Sequence, residues 1–131
     1  MKTLIVEDDF TSRLLLQQIL LKWGQAHIAV NGKEAVEAVR IAMESGDPYN
    51  LICLDIMMPE MDGQEALKHI RKLEEDCCIL SYQGAKIIMT TALGDMKNVN
   101  NAFHGLCDAY LVKPIDKKKL VENLQTLALV P

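Results

Sequence analysis

The tetrad Leu51-Ile52-Cys53-Leu54 is apolar at every position and stops on an acid, Asp55. A strand with no polar side chain to turn outward must be covered on both faces, the situation of a central strand in a parallel sheet flanked by helices. The rest of the chain repeats the theme. Leu4-Ile5-Val6 is a short apolar run that meets Glu7-Asp8-Asp9, and Ala26 to Val30 is a second. Lys86-Ile87-Ile88-Met89 runs into Thr90-Thr91, and Ala109-Tyr110-Leu111-Val112 into Lys113-Pro114. Between these runs the apolar residues recur at helical spacing: Leu14, Leu15, Leu16, Ile19, Leu20 and Trp23, with Thr11 or Ser12 to cap the start and Gly24 to end it. After an Asn31-Gly32 turn come Ala35, Val36, Val39, Ala42 and Met43, and a helix from about Gln64 to Leu73 turns Ala66, Leu67 and Ile70 inward. Weaker helical patterns cover Asp95 to His104 and Asp116 to Leu129.

Five strand-helix pairs in one chain predict an α/β fold in which right-handed crossovers distribute helices over both faces of a five-stranded parallel sheet. The expected architecture is flavodoxin-like (βα)₅. A length of 131 residues suits one compact domain spanning 1–131. The formal net charge of -4 argues against a nucleic-acid partner, and Lys117-Lys118-Lys119 reads as a solvated face. No segment approaches the roughly 18 apolar residues of a membrane span, and the amino terminus lacks a signal-peptide core, so a soluble cytoplasmic protein without membrane contact is expected. Cys53, Cys77, Cys78 and Cys107 lack C-x-x-C spacing and read as reduced thiols, with Cys53 in the core.

In open α/β sheets, ligands bind outside the carboxyl ends of the strands. The first strand delivers Asp8 and Asp9 there, the third Asp55, the fourth Thr91 and the fifth Lys113. Carboxylates crowded together repel one another unless a cation joins them, and a hard divalent ion such as Mg²⁺ takes oxygen ligands from one or two of them. The remaining carboxylate is then available as a nucleophile toward phosphorus, with Lys113 and Thr91 offsetting charge on the transferring group. Glu7, ahead of this pair, reads as solvated or structural. Thr90 competes with Thr91 for the site because a one-residue slip exchanges them, and the following Ala92 favours Thr91.

Val6-Glu7-Asp8-Asp9-Phe10, Leu54-Asp55-Ile56-Met57-Met58-Pro59, Met61-Asp62-Gly63, Thr91-Ala92 and Val112-Lys113-Pro114 together resemble the receiver domain of two-component response regulators over nearly the whole chain. The resemblance implies that Asp55 is the phosphoacceptor, that Asp8, Asp9, Asp55 and the Met57 carbonyl hold Mg²⁺, and that Thr91 and Lys113 contact the phosphoryl group. It also implies a cis Lys113-Pro114 bond and a switch in which Tyr110 turns inward as the Thr91 hydroxyl moves. The signal would then emerge on the face made by the helix over 95–104, the fifth strand and the last helix. The implied partners are a histidine kinase or histidine phosphotransfer protein upstream and a protein target downstream. The chain would act alone, without an output domain, as a chemotaxis-type docking regulator or an intermediate phosphate carrier.

Two features depart from the family. The stretch Leu73 to Lys86 is longer than the usual link and either extends the preceding helix or forms an exposed loop. The positions that tune aspartyl-phosphate hydrolysis, two after the acceptor and two after the threonine, are the apolar Met57 and Leu93, which cannot orient an attacking water. A slowly hydrolysing phosphoprotein is expected, a reversible switch rather than a turnover enzyme. The rival reading, an aspartyl phosphatase of the haloacid-dehalogenase kind, needs a second acid where Met57 stands. An FMN carrier needs a phosphate-binding loop where Glu7-Asp8-Asp9 would repel the ligand. His27, His69 and His104 lie in different elements, and none reads as a phosphohistidine.

Overall fold

The computed structural model describes residues 1–58, 60–80, 83–92 and 106–131. Its elements in chain order are β1 (Thr3–Val6), α1 (Phe10–Leu20), a 3₁₀ turn (Leu21–Trp23), β2 (Ala26–Ala29), α2 (Gly32–Glu44), β3 (Leu51–Asp55), α3 (Gly63–Asp76), β4 (Lys86–Ala92), β5 (Ala109–Lys113) and α4 (Lys117–Thr126). The strands form one parallel sheet in the order β2-β1-β3-β4-β5. The expected (βα)₅ architecture is therefore present. The helix expected over 95–104 lies outside the described residues.

Strand alternation divides the core in two. Leu4, Val6, Ile52, Leu54, Ile87 and Met89 face α2 and α3, where Val39, Ala42, Ala66, Leu67 and Ile70 meet them. Ile5, Leu51, Cys53, Ile88 and Leu111 face the other way, onto Leu16, Ile19 and Leu20 of α1 and Leu120 and Leu124 of α4. This is why β3 tolerates no polar position: all five of its residues are buried. Two-sided burial of β1 and β3 leaves only their ends for chemistry. Between these two strands the chain reverses its direction of travel across the sheet, the point where such folds open a crevice.

The helix starts differ from expectation in an informative way. Asp9, not Thr11 or Ser12, caps α1, its Oδ2 accepting from the Ser12 amide at 2.9 Å. Asn31 caps α2 through the Glu34 amide at 2.9 Å, so Asn31-Gly32 is a helix start rather than a free turn. In each case the carboxylate or amide oxygen reaches back to an otherwise orphaned amide two or three residues on. Asp62 does the same for α3, and the next residue, Gly63, donates its amide to the Ile56 carbonyl at 2.8 Å. A Cβ on Gly63 would collide with the Asp55 carbonyl. Gly63→Ala is accordingly expected to lose about 2–3 kcal/mol of stability by chemical denaturation; an unchanged midpoint would mean the backbone behind Asp55 yields freely.

The long segment after Leu73 extends the helix. α3 continues to Asp76 and closes with the Ile79 amide bonded to the Glu74 carbonyl and the Cys78 amide to that of Glu75, both at 2.9 Å, while Cys78 takes φ 59°. That is a Schellman end. It turns the Glu74 carboxylate inward, where it accepts from the Ala85 amide at 2.8 Å and from Arg71 at 2.6 Å. Among the described residues no helix is long and apolar enough to cross a membrane.

Candidate functional site

Three strand ends converge at the carboxyl edge. The β1 ladder runs one residue beyond the strand, since the Glu7 amide still bonds the Ala29 carbonyl at 3.0 Å, and Glu7 is fully buried. Asp55, the last residue of β3, is 4% exposed. Lys113, the last residue of β5, brings its ammonium to both: Nζ lies 2.8 Å from Glu7 Oε2, 3.1 Å from Glu7 Oε1 and 3.2 Å from Asp55 Oδ2. The Lys113-Pro114 bond is cis.

This corrects the expectation about the acids. Glu7 is not solvated. One carboxylate oxygen each from Glu7, Asp8 and Asp55 lies within 4.8 Å of the others, and Asp9 is not in the group. Asp9 is exposed and committed to capping, with its carboxyl held below the usual range by hydrogen bonds from Ser12. The physical reason is register: Glu7 has the parity of Ile5 and remains in the ladder, Asp8 follows at the edge, and only Asp9 is free to begin a helix. A capping acid ahead of Ser12 was the available sequence signal.

Electrostatics follow from the geometry. Burial, reinforced by the Glu7 charge, pushes Asp55 up to about 7, with Lys113 pulling the other way. Burial works against the charge on Lys113 as well, yet the Glu7 hydrogen bond and the two carboxylate charges hold its ammonium above the usual lysine value. Glu7 Oε2 lies close to the ammonium but has no hydrogen bond of acceptable angle. A buried carboxylate oxygen with no hydrogen bond, beside two more carboxylates, is a donor set that suits a hard cation.

The other expected residues are placed less centrally. Thr91 is fully buried, but its hydroxyl bonds the Ala92 carbonyl at 3.3 Å; by alternation it belongs with Ile87 and Met89, on the α2/α3 side. Thr90 is the β4 residue in register with Asp55. Met57 is 54% exposed and donates its amide to Asp55 Oδ1 at 3.3 Å. Tyr110 packs half-buried against the α2/α3 core; burial first, and then its bond to Cys107, hold its hydroxyl above the usual tyrosine value. Leu93 and Pro59 lie outside the described residues.

Comparison with known proteins agrees with this arrangement. Residues 3–125 match the response regulator receiver domain model. The chain is 33% identical to the chemotaxis protein CheY of Thermotoga maritima over 97% of each chain. It is 35% identical to the transcriptional regulatory protein SrrA of Staphylococcus aureus over 95% of its own length, which is 46% of that protein. The solved CheX-CheY-BeF3-Mg+2 complex of Borrelia burgdorferi contains a chain that superposes with a TM-score of 0.78 at 27% identity, covering all of this chain and 90% of that one. A five-stranded sheet of this order, two buried acids and a lysine at its carboxyl edge, and a family match over nearly every residue lead to one conclusion: the chain belongs to the response regulator receiver domain family.

Proposed function

We propose that Asp55 accepts a phosphoryl group from a histidine kinase or histidine phosphotransfer protein, and that the protein signals by docking to another protein. The observation that carries this reading is the Lys113 ammonium within 3.2 Å of Asp55 and 2.8 Å of Glu7, since it joins a nucleophile, a cation and an acid from three strands at one point. The Asp55 carboxylate attacks phosphorus in line, the bond from phosphorus to the donor atom breaks, and the donor leaves with the electron pair. Lys113 offsets charge on the phosphoryl oxygens, and Thr91 supplies its hydroxyl to the same group once that hydroxyl leaves the Ala92 carbonyl. Glu7, Asp8, Asp55 and the Met57 carbonyl would hold Mg²⁺, which when bound neutralises charge that builds on the transferring oxygens.

Downstream, Tyr110 on β5 is the aromatic that follows the Thr91 hydroxyl, and the surface of β5 and α4 is the docking face. Met57 and Leu93 are apolar where water would have to be oriented, so the phosphorylated state is long-lived. The protein is then a reversible switch and not a turnover enzyme.

Incubation with acetyl phosphate and Mg²⁺ followed by intact mass tests the reading. A single phosphate adduct should form, depend on Mg²⁺ and, once the donor is diluted away with Mg²⁺ kept present and no phosphatase added, be lost only over minutes or longer. No adduct on the wild type would sink it, and loss of label within about a minute would remove the claim about Met57 and Leu93.

A further inference from the structure

The rim of the site carries a second cation. Arg13, one turn into α1, donates its amide to the Asp9 carbonyl and its Nη1 to the Glu7 carbonyl at 3.2 Å. Its guanidinium lies 5.6 Å from the centroid of the Phe10 ring, which is 66% exposed. Two contacts thus fix the group between the Glu7 carbonyl and the Phe10 ring, at the end of β1 that carries the acids, as hydrogen bonding and cation-π stacking do together. They use one of five N–H donors. Among the described residues Arg13 forms no ion pair with a carboxylate. A half-buried, oriented guanidinium with free donors beside an anionic cleft has an unfilled role.

In-line displacement says what that role is. Asp55 approaches phosphorus from the strand end, so the leaving group departs on the opposite side, outward, past the rim. An acyl phosphate leaves as a carboxylate, the anion that a planar guanidinium fork matches with two parallel bonds. A phosphoramidate leaves as a neutral amine, which needs a proton and offers the guanidinium nothing. We propose that Arg13 is a specificity-determining residue that favours phosphodonors with a carboxylate leaving group, holding that carboxylate at the rim as Asp55 takes the phosphoryl group. The step balances: the acyl oxygen to phosphorus bond breaks, the Asp55 oxygen to phosphorus bond forms, and the carboxylate keeps the electron pair without a proton. This inference rests on the assignment of Asp55 as acceptor.

The test compares rates of adduct formation from acetyl phosphate and from phosphoramidate at fixed ionic strength and saturating Mg²⁺, read by intact mass. Arg13→Gln should slow the acetyl phosphate reaction about tenfold, the size of one charge-assisted contact, and the phosphoramidate reaction by less than about twofold. Arg13→Lys should recover part of the loss, because it restores charge without the fork. A distorted helix start would slow both donors alike, so equal slowing, or none, overturns the role of Arg13 while leaving Asp55 as acceptor. A wild type that takes phosphate from neither donor overturns the acceptor reading itself.

Discussion

Asp55→Asn will abolish phosphate uptake and, in Mg²⁺-free buffer near pH 7.5, will unfold at a higher temperature than the wild type. Asp55 is buried beside Glu7, and its carboxyl is pushed up to about 7 although Lys113 opposes the shift. Because the folded value lies above the ordinary one of 3.8, the charged form is what destabilises the fold. The stability tied to the protonated form is intact below about pH 4, declines as pH rises, and is gone above about 7. The rise from 3.8 to about 7 sets a ceiling of about 4 kcal/mol. Water entry and side-chain relaxation reduce this to roughly 2 kcal/mol, or about 6 °C in melting temperature. The amide keeps the shape and removes the charge. Adding Mg²⁺ should narrow or reverse the gap, since an ion held by the three carboxylates would stabilise the wild type. Calorimetry at about pH 4.5 and 7.5, with and without the metal, checks all of this; an amide variant no more stable than the wild type at the higher pH would contradict it.

Arg71→Met is expected to lose about 3–4 kcal/mol in urea denaturation, more than any surface change in the chain. Arg71 gives Nη1 to Glu74 Oε1 at 2.6 Å and to the Ala85 carbonyl at 2.9 Å, Nε to the Leu106 carbonyl at 2.7 Å and Nη2 to Asp108 Oδ2 at 3.1 Å. Asp108 Oδ2 in turn accepts from the Ile87 amide at 2.8 Å. Removing the guanidinium strands the Glu74 carboxylate, whose side chain is only 8% exposed, together with two carbonyls. A double change, Arg71→Met with Glu74→Leu, should lose less than the single one, because no buried charge is left alone. A loss under about 1 kcal/mol for the single change would mean water replaces the arginine.

The sheet was legible because its strands are uninterrupted apolar runs: once Leu51 to Leu54 admitted no outward polar position, two layers of helix followed, and the split of Ile52 from Cys53 between the two cores is the same fact seen from inside. Asp55 and Lys113 were legible because each ends such a run. The acid pair was not. Glu7, Asp8 and Asp9 are consecutive, and a strand end defined only to within a residue leaves all three eligible; whether the ladder includes Glu7 depends on its bond to Ala29, a partner 22 residues away. The Arg71 network escaped for the same reason, since its acceptors at 85, 106 and 108 become neighbours only after β4 and β5 are laid down. Glu74 stands in the run Glu74-Glu75-Asp76, and nothing local announces that it alone turns inward.

The Glu7 to Lys113 contact spans 106 residues of chain. β5 is the last strand to leave the ribosome, and until it joins the sheet beside β4 the acids at 7 and 55 have no ammonium between them. A nascent or truncated chain that lacks β5 therefore carries the two acids without the ammonium between them, and the three-strand site exists only in the finished sheet.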